Sequence, residues 1–257
     1  MLMVLEIGLA IGLVGMLFIA WFIGRAYSGS MTESVAKHPQ LGMIQGAILA
    51  LLGLLLGFCF AGAISRFVDR QHVLGREASA ITTLYDMAGL LPDEHSAAMR
   101  GLLHEYAVAR RELFNRSRLQ SERDMQVAVQ KIQQSMWDRT KAAVAAMPTI
   151  TAPLTGAVAE VGNSLAERNN LDARHVPTLV FVILAISAAA SMAAVGLGTE
   201  RAHGSLRRPA IVLILLVAAT LWTILDLDFP RLGLVKLNPK PLDEAIAYVR
   251  GGGQHPR

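Results

Sequence analysis

Two acidic residues, Asp226 and Asp228, stand one residue apart at the end of the last long apolar run. Carboxylates are unfavourable there, because a helix carries partial negative charge at its carboxyl end. Such acids need partners, either arginines or a bound cation. Two carboxylates fall short of the roughly six to eight oxygens that calcium takes, so we expect ion pairing and no metal site. The candidate partners, which complete a predicted acidic and basic cluster, are Arg66, Arg70 and Arg231.

No other residues in the sequence have the spacing of a catalytic or cofactor site. His104-Glu105 lacks the second histidine of a zinc-protease helix. His72 and His95 have no cysteine or carboxylate at ligand spacing. The glycines at 251–253 follow no strand, as a nucleotide-binding loop requires, and no serine lies in a nucleophile elbow. We therefore expect no enzyme activity and no cofactor.

The elements that hold these residues are apolar helices. The chain has 257 residues, is 53% hydrophobic and has a mean hydropathy of +0.42. Runs of about 20 apolar residues are long enough to cross a hydrocarbon core of about 30 Å as helices. They are continuous and lack the alternation of a transmembrane barrel. The sequence therefore predicts an all-α integral membrane protein with four transmembrane helices, at 3–24, 41–64, 176–197 and 209–227.

The four runs form two pairs, with a polar helical segment between the second and third. Pro92-Asp93-Glu94 is typical of a helix start, and apolar residues recur at helical spacing after it. Residues 76–91 either extend the second membrane helix or begin a new one, with Gly75 as a hinge candidate. The predicted domains are membrane helices 1 and 2 (1–65), a helical cytoplasmic domain (66–175), membrane helices 3 and 4 (176–228) and a cytoplasmic carboxyl-terminal segment (229–257).

Charge indicates the orientation of the chain. The first run has no basic residue before it, contains Glu6 and lacks a small-x-small cleavage site, so we expect a retained helix. Cytoplasmic termini place eight basic residues on inside flanks and five in outside loops, which favours a cytoplasmic central domain. The net charge of +4 is not concentrated there, since 66–174 holds 14 basic and 13 acidic residues. We expect no nucleic-acid partner.

The second apolar run carries small residues at helical spacing. Residues four apart lie on one face of a helix, so two sets of small residues each form a ridge without bulky side chains. In lipid, such ridges let helix backbones approach closely, because packing drives helix association there. This helix should therefore contact other protein as well as the lipid bilayer. The residues assigned to helix packing are Gly42, Gly46, Gly53, Gly57 and Ala61.

Two stretches resemble a known family. Residues 56–67 (LGFCFAGAISRF) are similar to the end of the second membrane helix of bestrophins, where Leu-Gly-Phe and seven mostly apolar residues precede Arg and an aromatic. Residues 226–233 (DLDFPRLG), followed by 241–243 (PLD), resemble the acidic-Pro-Gly stretch and later Pro-Leu-Asp of bacterial bestrophins. The whole chain resembles bacterial membrane proteins with a bestrophin-like domain, distant relatives of bestrophin ion channels, which share the 2+2 layout.

The resemblance implies an oligomeric ion channel with an axial pore. Bestrophins are pentamers in which the second helix of each subunit lines a narrow apolar neck. By position, Phe58 matches the last aromatic neck residue, while Leu54 and Ala50 match two apolar positions before it. Ala50 departs from the family in being small. A ring of apolar side chains closes a narrow pore by dewetting. The resemblance also implies a homopentamer in the bacterial inner membrane that passes inorganic ions.

An alternative is a non-conducting membrane scaffold or sensor that oligomerises through the same helices. The sign of the conducted ion is not set by an uncharged neck. Animal bestrophins bind calcium in an acidic cluster after the fourth helix, but the ligand count at Asp226 and Asp228 favours pairing within the protein.

Overall fold

The computed structural model describes residues 2–28, 39–115, 119–199, 207–229 and 234–253. Within these ranges the chain forms helices and no β-strand, which confirms the all-α prediction. A short 3-10 helix at Pro148–Ile150 precedes the fifth α-helix. In chain order, the α-helices are α1 (Leu2–Ser28), α2 (Pro39–Ala88), α3 (Asp93–Asn115), α4 (Leu119–Ala146), α5 (Thr151–Asp172), α6 (Thr178–Thr199), α7 (Arg207–Asp228) and α8 (Lys240–Arg250).

In the described part of the chain, four helices are long and apolar enough to cross a membrane, which confirms the predicted 2+2 layout. Large apolar side chains such as Ile11, Phe22 and Ile186 are exposed on them. Such exposure is unfavourable in water but is expected where lipid surrounds a helix. The candidate spans lie within Gly8–Ser28, Gly42–Ala88, Thr178–Gly198 and Arg208–Asp228.

The second of these helices, α2, is much longer than its apolar run. It continues for 50 residues, about 75 Å at 1.5 Å per residue. No proline lies between Gln40 and Leu91, and a single interior glycine such as Gly75 costs a helix only about 1 kcal/mol. The helix ends at Ala88, ahead of Gly89 and Pro92, which are both residue types that follow helix ends. Residues 76–88 therefore extend the second membrane helix, and Gly75 does not interrupt it.

The chain divides into two compact units. Unit 1 comprises Met1–Phe67 and His175–Lys236, and its core is formed by apolar side chains of α1, α2, α6 and α7. Burial of these side chains fixes which side of each helix faces its neighbours. Fully buried core residues of unit 1 include Leu17, Leu184, Met192 and Ile214.

Helices α1 and α6 of unit 1 cross with their backbones in contact. A Cβ added to Gly24 would overlap the backbone of Ala193, and one added to Gly196 would overlap the carbonyl group of Trp21. Only glycine permits such close approach of two helix backbones. These two glycines are not among the predicted packing residues, which all lie on α2.

Unit 2 comprises Val68–Arg174 and Leu237–Arg257. Its core joins the last part of α2 with α3, α4, α5 and α8. Helix α8 packs against α3, where Arg111 Nε donates to Asp243 Oδ1 at 2.5 Å. Helix α8 therefore belongs to unit 2.

Candidate functional site

One side of α2 packs against the chain's own helices, and the opposite side does not. Leu52 and Leu56 are buried in unit 1, with 2% and 8% of their surface exposed. Leu54 and Phe58 are 56% and 69% exposed, and Ala50 is exposed as well. At 3.6 residues per turn, Leu54 points about half a turn away from the buried pair. The proposed neck residues therefore form an apolar stripe on the outer side of their own subunit.

The predicted packing residues lie on the same outer side of α2. A Cβ added to Gly42, Gly46, Gly53 or Gly57 would meet no atom within 4 Å, and Ala61 is exposed. No described helix of the same chain therefore packs on these ridges. Their role in close helix packing therefore stays a prediction.

A buried ion pair lies at the carboxyl end of α7. Arg66 Nε donates to Asp228 Oδ1 at 3.2 Å, and the Asp228 side chain has no exposed surface. The backbone N–H of Val176 lies 3.2 and 3.1 Å from the two carboxylate oxygens, and His175 Nδ1 lies 3.4 Å from Oδ2. A buried carboxylate is stable only when its charge is balanced and its oxygens are hydrogen-bonded. The Arg66 guanidinium and the Val176 N–H explain how an acid is tolerated at the negative end of a helix.

Asp226 has a different role. Its two oxygens accept the backbone N–H groups of Leu234 and Val235 at 2.8 and 2.9 Å. The carboxylate thus holds the backbone of Leu234 and Val235 near the end of α7. Among the described residues, no group of three or more His, Cys, Asp or Glu side chains is placed to hold a metal ion.

A second arginine of the predicted cluster, Arg70, binds backbone carbonyl groups. Arg70 is 4% exposed and lies in unit 2. Its Nη2 donates to the carbonyl oxygen of Arg174 at 2.9 Å, just past α5, where carbonyl groups lack helical partners. Arg231 lies outside the described residues. Within the described part of the cluster, the structure shows an ion pair between Arg66 and Asp228.

Unit 2 contains a buried charge network that the sequence interpretation missed. Glu77 of α2 is fully buried. Its carboxylate accepts two hydrogen bonds from Arg110, at 2.5 and 3.1 Å. It also accepts one from the Tyr106 hydroxyl at 3.1 Å and one from Arg168 at 3.1 Å. Charge-assisted and bidentate bonds of this kind are the strong class of hydrogen bond. One carboxylate therefore joins α2 to α3 and α5.

The network fixes the protonation states of its members. Burial opposes the charge on Arg110, but the Glu77 carboxylate outweighs this and holds the pKa of Arg110 above its ordinary value. Burial raises the pKa of Tyr106, and the charge of Glu77 raises it further, so the phenol stays protonated and donates. Burial and the charge of Arg110 lower the pKa of Arg168. The charge network therefore links α2, α3 and α5.

These features define a class of protein: a helical membrane protein with two pairs of spanning helices and a helical domain between them. Residues 9–242 match the Bestrophin-like domain family, and the chain belongs to this family. No curated protein gives a significant match.

Solved structures share this fold. A crystal structure of a bacterial Bestrophin homolog from Klebsiella pneumoniae is similar with a TM-score of 0.67 and 18% identity, covering 97% of this chain and 99% of that one. A variant of the Klebsiella homolog gives 0.67 and 17%, with coverage of 96% and 97%. A further membrane protein gives 0.68 and 18%, with coverage of 97% and 99%. At these identities, the likeness concerns the fold alone.

Proposed function

We propose that this chain is one subunit of an oligomeric ion channel whose axial pore is lined by α2. The observation that carries the proposal is the outer side of α2, where the stripe of Ala50, Leu54 and Phe58 is exposed within a single subunit. Its membership of the Bestrophin-like family supports the same function. Passive conduction of this kind needs no catalytic group and no cofactor.

In the assembled channel, the apolar stripe and the glycines on the outer side of α2 have separate roles. Leu54 and Phe58 form rings of apolar side chains around the axis, and such rings close a narrow pore by dewetting. Gly53 and Gly57 let the helix of the neighbouring subunit approach closely, as small residues do in membranes. Ala50 is small, so its ring is wider than the other two. The constriction is therefore placed at Leu54 and Phe58.

We propose a homopentamer in the bacterial inner membrane, with both termini and the domain at 66–175 in the cytoplasm. The support is the family and the excess of basic residues on the flanks assigned to the inside, eight against five. Residues 1–65 and 176–228 are the proposed membrane part, and 229–257 lie on the cytoplasmic side. Native mass spectrometry of the purified protein measures the subunit number directly.

Shortening the neck side chain should increase ion flux. In liposomes containing the full-length protein, Phe58→Ala should raise the flux about tenfold if losing the phenyl ring lowers the barrier by about 1.4 kcal/mol. The matched control is Phe22→Ala, because Phe22 is similarly exposed but lies on α1. An unchanged flux for Phe58→Ala would show that Phe58 does not line the constriction.

Filling the glycine ridge should weaken assembly. Gly57→Leu places a bulky side chain where a neighbouring helix is proposed to pack, and should raise the dissociation constant of the oligomer at least about tenfold, or about 1.4 kcal/mol. Light scattering in detergent measures the molar mass. Gly12→Leu on α1 is the control, since a Cβ added to either glycine would meet no atom of the subunit within 4 Å. Equal masses for the two variants would contradict the proposed interface. A stable oligomer without flux would instead favour the scaffold or sensor.

A further inference from the structure

A cavity lies between α4 and α5, inside unit 2. Its volume is about 430 Å³, and small-molecule sites typically measure about 300–1,000 Å³. Three core residues line its apolar side, Met136 on α4 and Val158 and Val161 on α5, each at most 2% exposed. A Cβ added to the neighbouring Gly162 would meet no atom within 4 Å. The α4–α5 cavity therefore has room for a ring of atoms against an apolar surface.

The α4 side of the cavity is lined by polar side chains. Gln130, Gln133 and Gln134 are three and four residues apart, and so lie on one side of the helix. Each amide group both donates and accepts hydrogen bonds. The Nε2 atom of Gln133 is buried and has no hydrogen-bond partner among the described residues, which is unusual inside a protein. A ligand with an acceptor oxygen would supply the missing partner.

The remaining lining residues favour a neutral ligand with an apolar face. Asp138 and Lys141 pair with each other, with Lys141 Nζ 3.0 Å from Asp138 Oδ1. The lining therefore carries no net formal charge. Trp137 lies next to this pair in the sequence, lines the cavity and is 38% exposed. The negative face of an indole ring attracts C–H groups, which carry weak positive charge.

We propose that the α4–α5 cavity binds a neutral sugar. The C–H groups on one face of a pyranose ring fit the indole of Trp137, and the hydroxyl groups around its edge donate and accept as the glutamine amides do. A planar base also stacks on an indole, but it forms hydrogen bonds only in its own plane. The polar lining from Gln130 to Lys141 instead extends about 16 Å along α4.

Saturation-transfer difference NMR of the full-length protein tests the binding of glucose, galactose and maltose. The detergent should be an amine oxide, because alkyl maltosides carry a sugar headgroup. A sugar of about twelve non-hydrogen atoms should bind with a dissociation constant of about 1 mM, if each atom contributes as it does in drug-sized ligands. We expect at least one of the three sugars to bind in this range.

Two substitutions in the cavity should weaken this binding at least about tenfold. Gly162→Leu fills the space without removing a polar group, and Trp137→Ala removes the indole face. The matched control is Gly156→Leu, because Gly156 lies on the same helix and its added Cβ would also meet no atom within 4 Å, but it does not line the cavity. Both glycine variants should keep the fold, since leucine is the better helix former.

Failure of all three sugars to bind the wild type overturns the inference. Binding that Gly162→Leu leaves unchanged also overturns it, because the sugar then binds elsewhere. Adenosine is the probe for a planar base. If adenosine binds, loses its affinity in Gly162→Leu, and no sugar binds, the cavity takes a base and the inference is wrong. The α4–α5 cavity belongs to unit 2 alone, so none of these results bears on the proposed ion flux.

Discussion

Replacing Glu77 with glutamine should lower the free energy of unfolding of the full-length protein by about 3–5 kcal/mol, because it leaves buried arginines without a counter-charge. Arg110 and Arg168 both donate to this carboxylate and are themselves buried. Glutamine keeps the shape of glutamate but supplies no negative charge and only one acceptor oxygen. Urea unfolding in detergent, followed by circular dichroism, measures the loss.

The control for Glu77 is Glu167→Gln. Glu167 forms the same type of ion pair with Arg76, but the two side chains are 44% and 55% exposed. Exposed pairs contribute only about 0–1 kcal/mol, since water screens them and both side chains lose entropy. If the two variants lose equal stability, the buried network does not hold α2, α3 and α5 together. Glu77→Leu removes the hydrogen bonds as well as the charge. The difference in stability between Glu77→Leu and Glu77→Gln therefore measures the hydrogen bonding that glutamine retains.

The membrane helices could be predicted because the length and apolar composition of a run are enough to identify a spanning helix. A run of about 20 uncharged apolar residues has few alternatives to spanning a bilayer. The last predicted run, 209–227, corresponds to the observed helix Arg207–Asp228. The continuation of α2 to Ala88 could not be predicted in the same way. Beyond Ser65 the pattern is amphipathic, which fits one long helix or two shorter ones equally well. The structure decides between them, with one helix from Pro39 to Ala88.

Partners of charged residues were harder to predict than helices. Arg66 and Arg70 are four residues apart, so helical spacing places them on neighbouring parts of one helix side and cannot say which pairs with Asp228. In the structure, Arg66 forms an ion pair with Asp228. Glu77 did carry a signal in the sequence, since it shares a helix side with the buried Leu74 and Ile81. A charge among core positions implies buried partners.

The close crossing of α1 and α6 was missed for a physical reason. Small residues at helical spacing show that a second helix could pack closely against this surface, but they do not show that one does. The space beside the glycine ridges of α2 is empty within the chain. By contrast, the backbone of the opposite helix occupies the space beside Gly24 and Gly196, which belong to neither ridge. Sequence spacing thus locates surfaces without bulky side chains, and the pairing of helices decides which of them are used.

Gly24→Ala should therefore destabilise the fold although it adds one methyl group. The new Cβ would overlap the backbone of Ala193, and backbone atoms cannot move aside as a flexible side chain can. The two helices must separate, with an overpacking cost of about 1–3 kcal/mol or more. Thermal unfolding of the full-length protein in detergent should show a lower midpoint.

The same substitution at Gly12 gives the opposite expectation. Gly12 lies on the same helix, and its added Cβ would meet no atom within 4 Å. Alanine is the better helix former by about 1 kcal/mol in water, so Gly12→Ala should be neutral or stabilising. A loss of stability for Gly24→Ala without a loss for Gly12→Ala isolates the close approach of α1 and α6 as the cause. If Gly24→Ala also leaves the midpoint unchanged or raises it, the backbones are not in contact at this crossing.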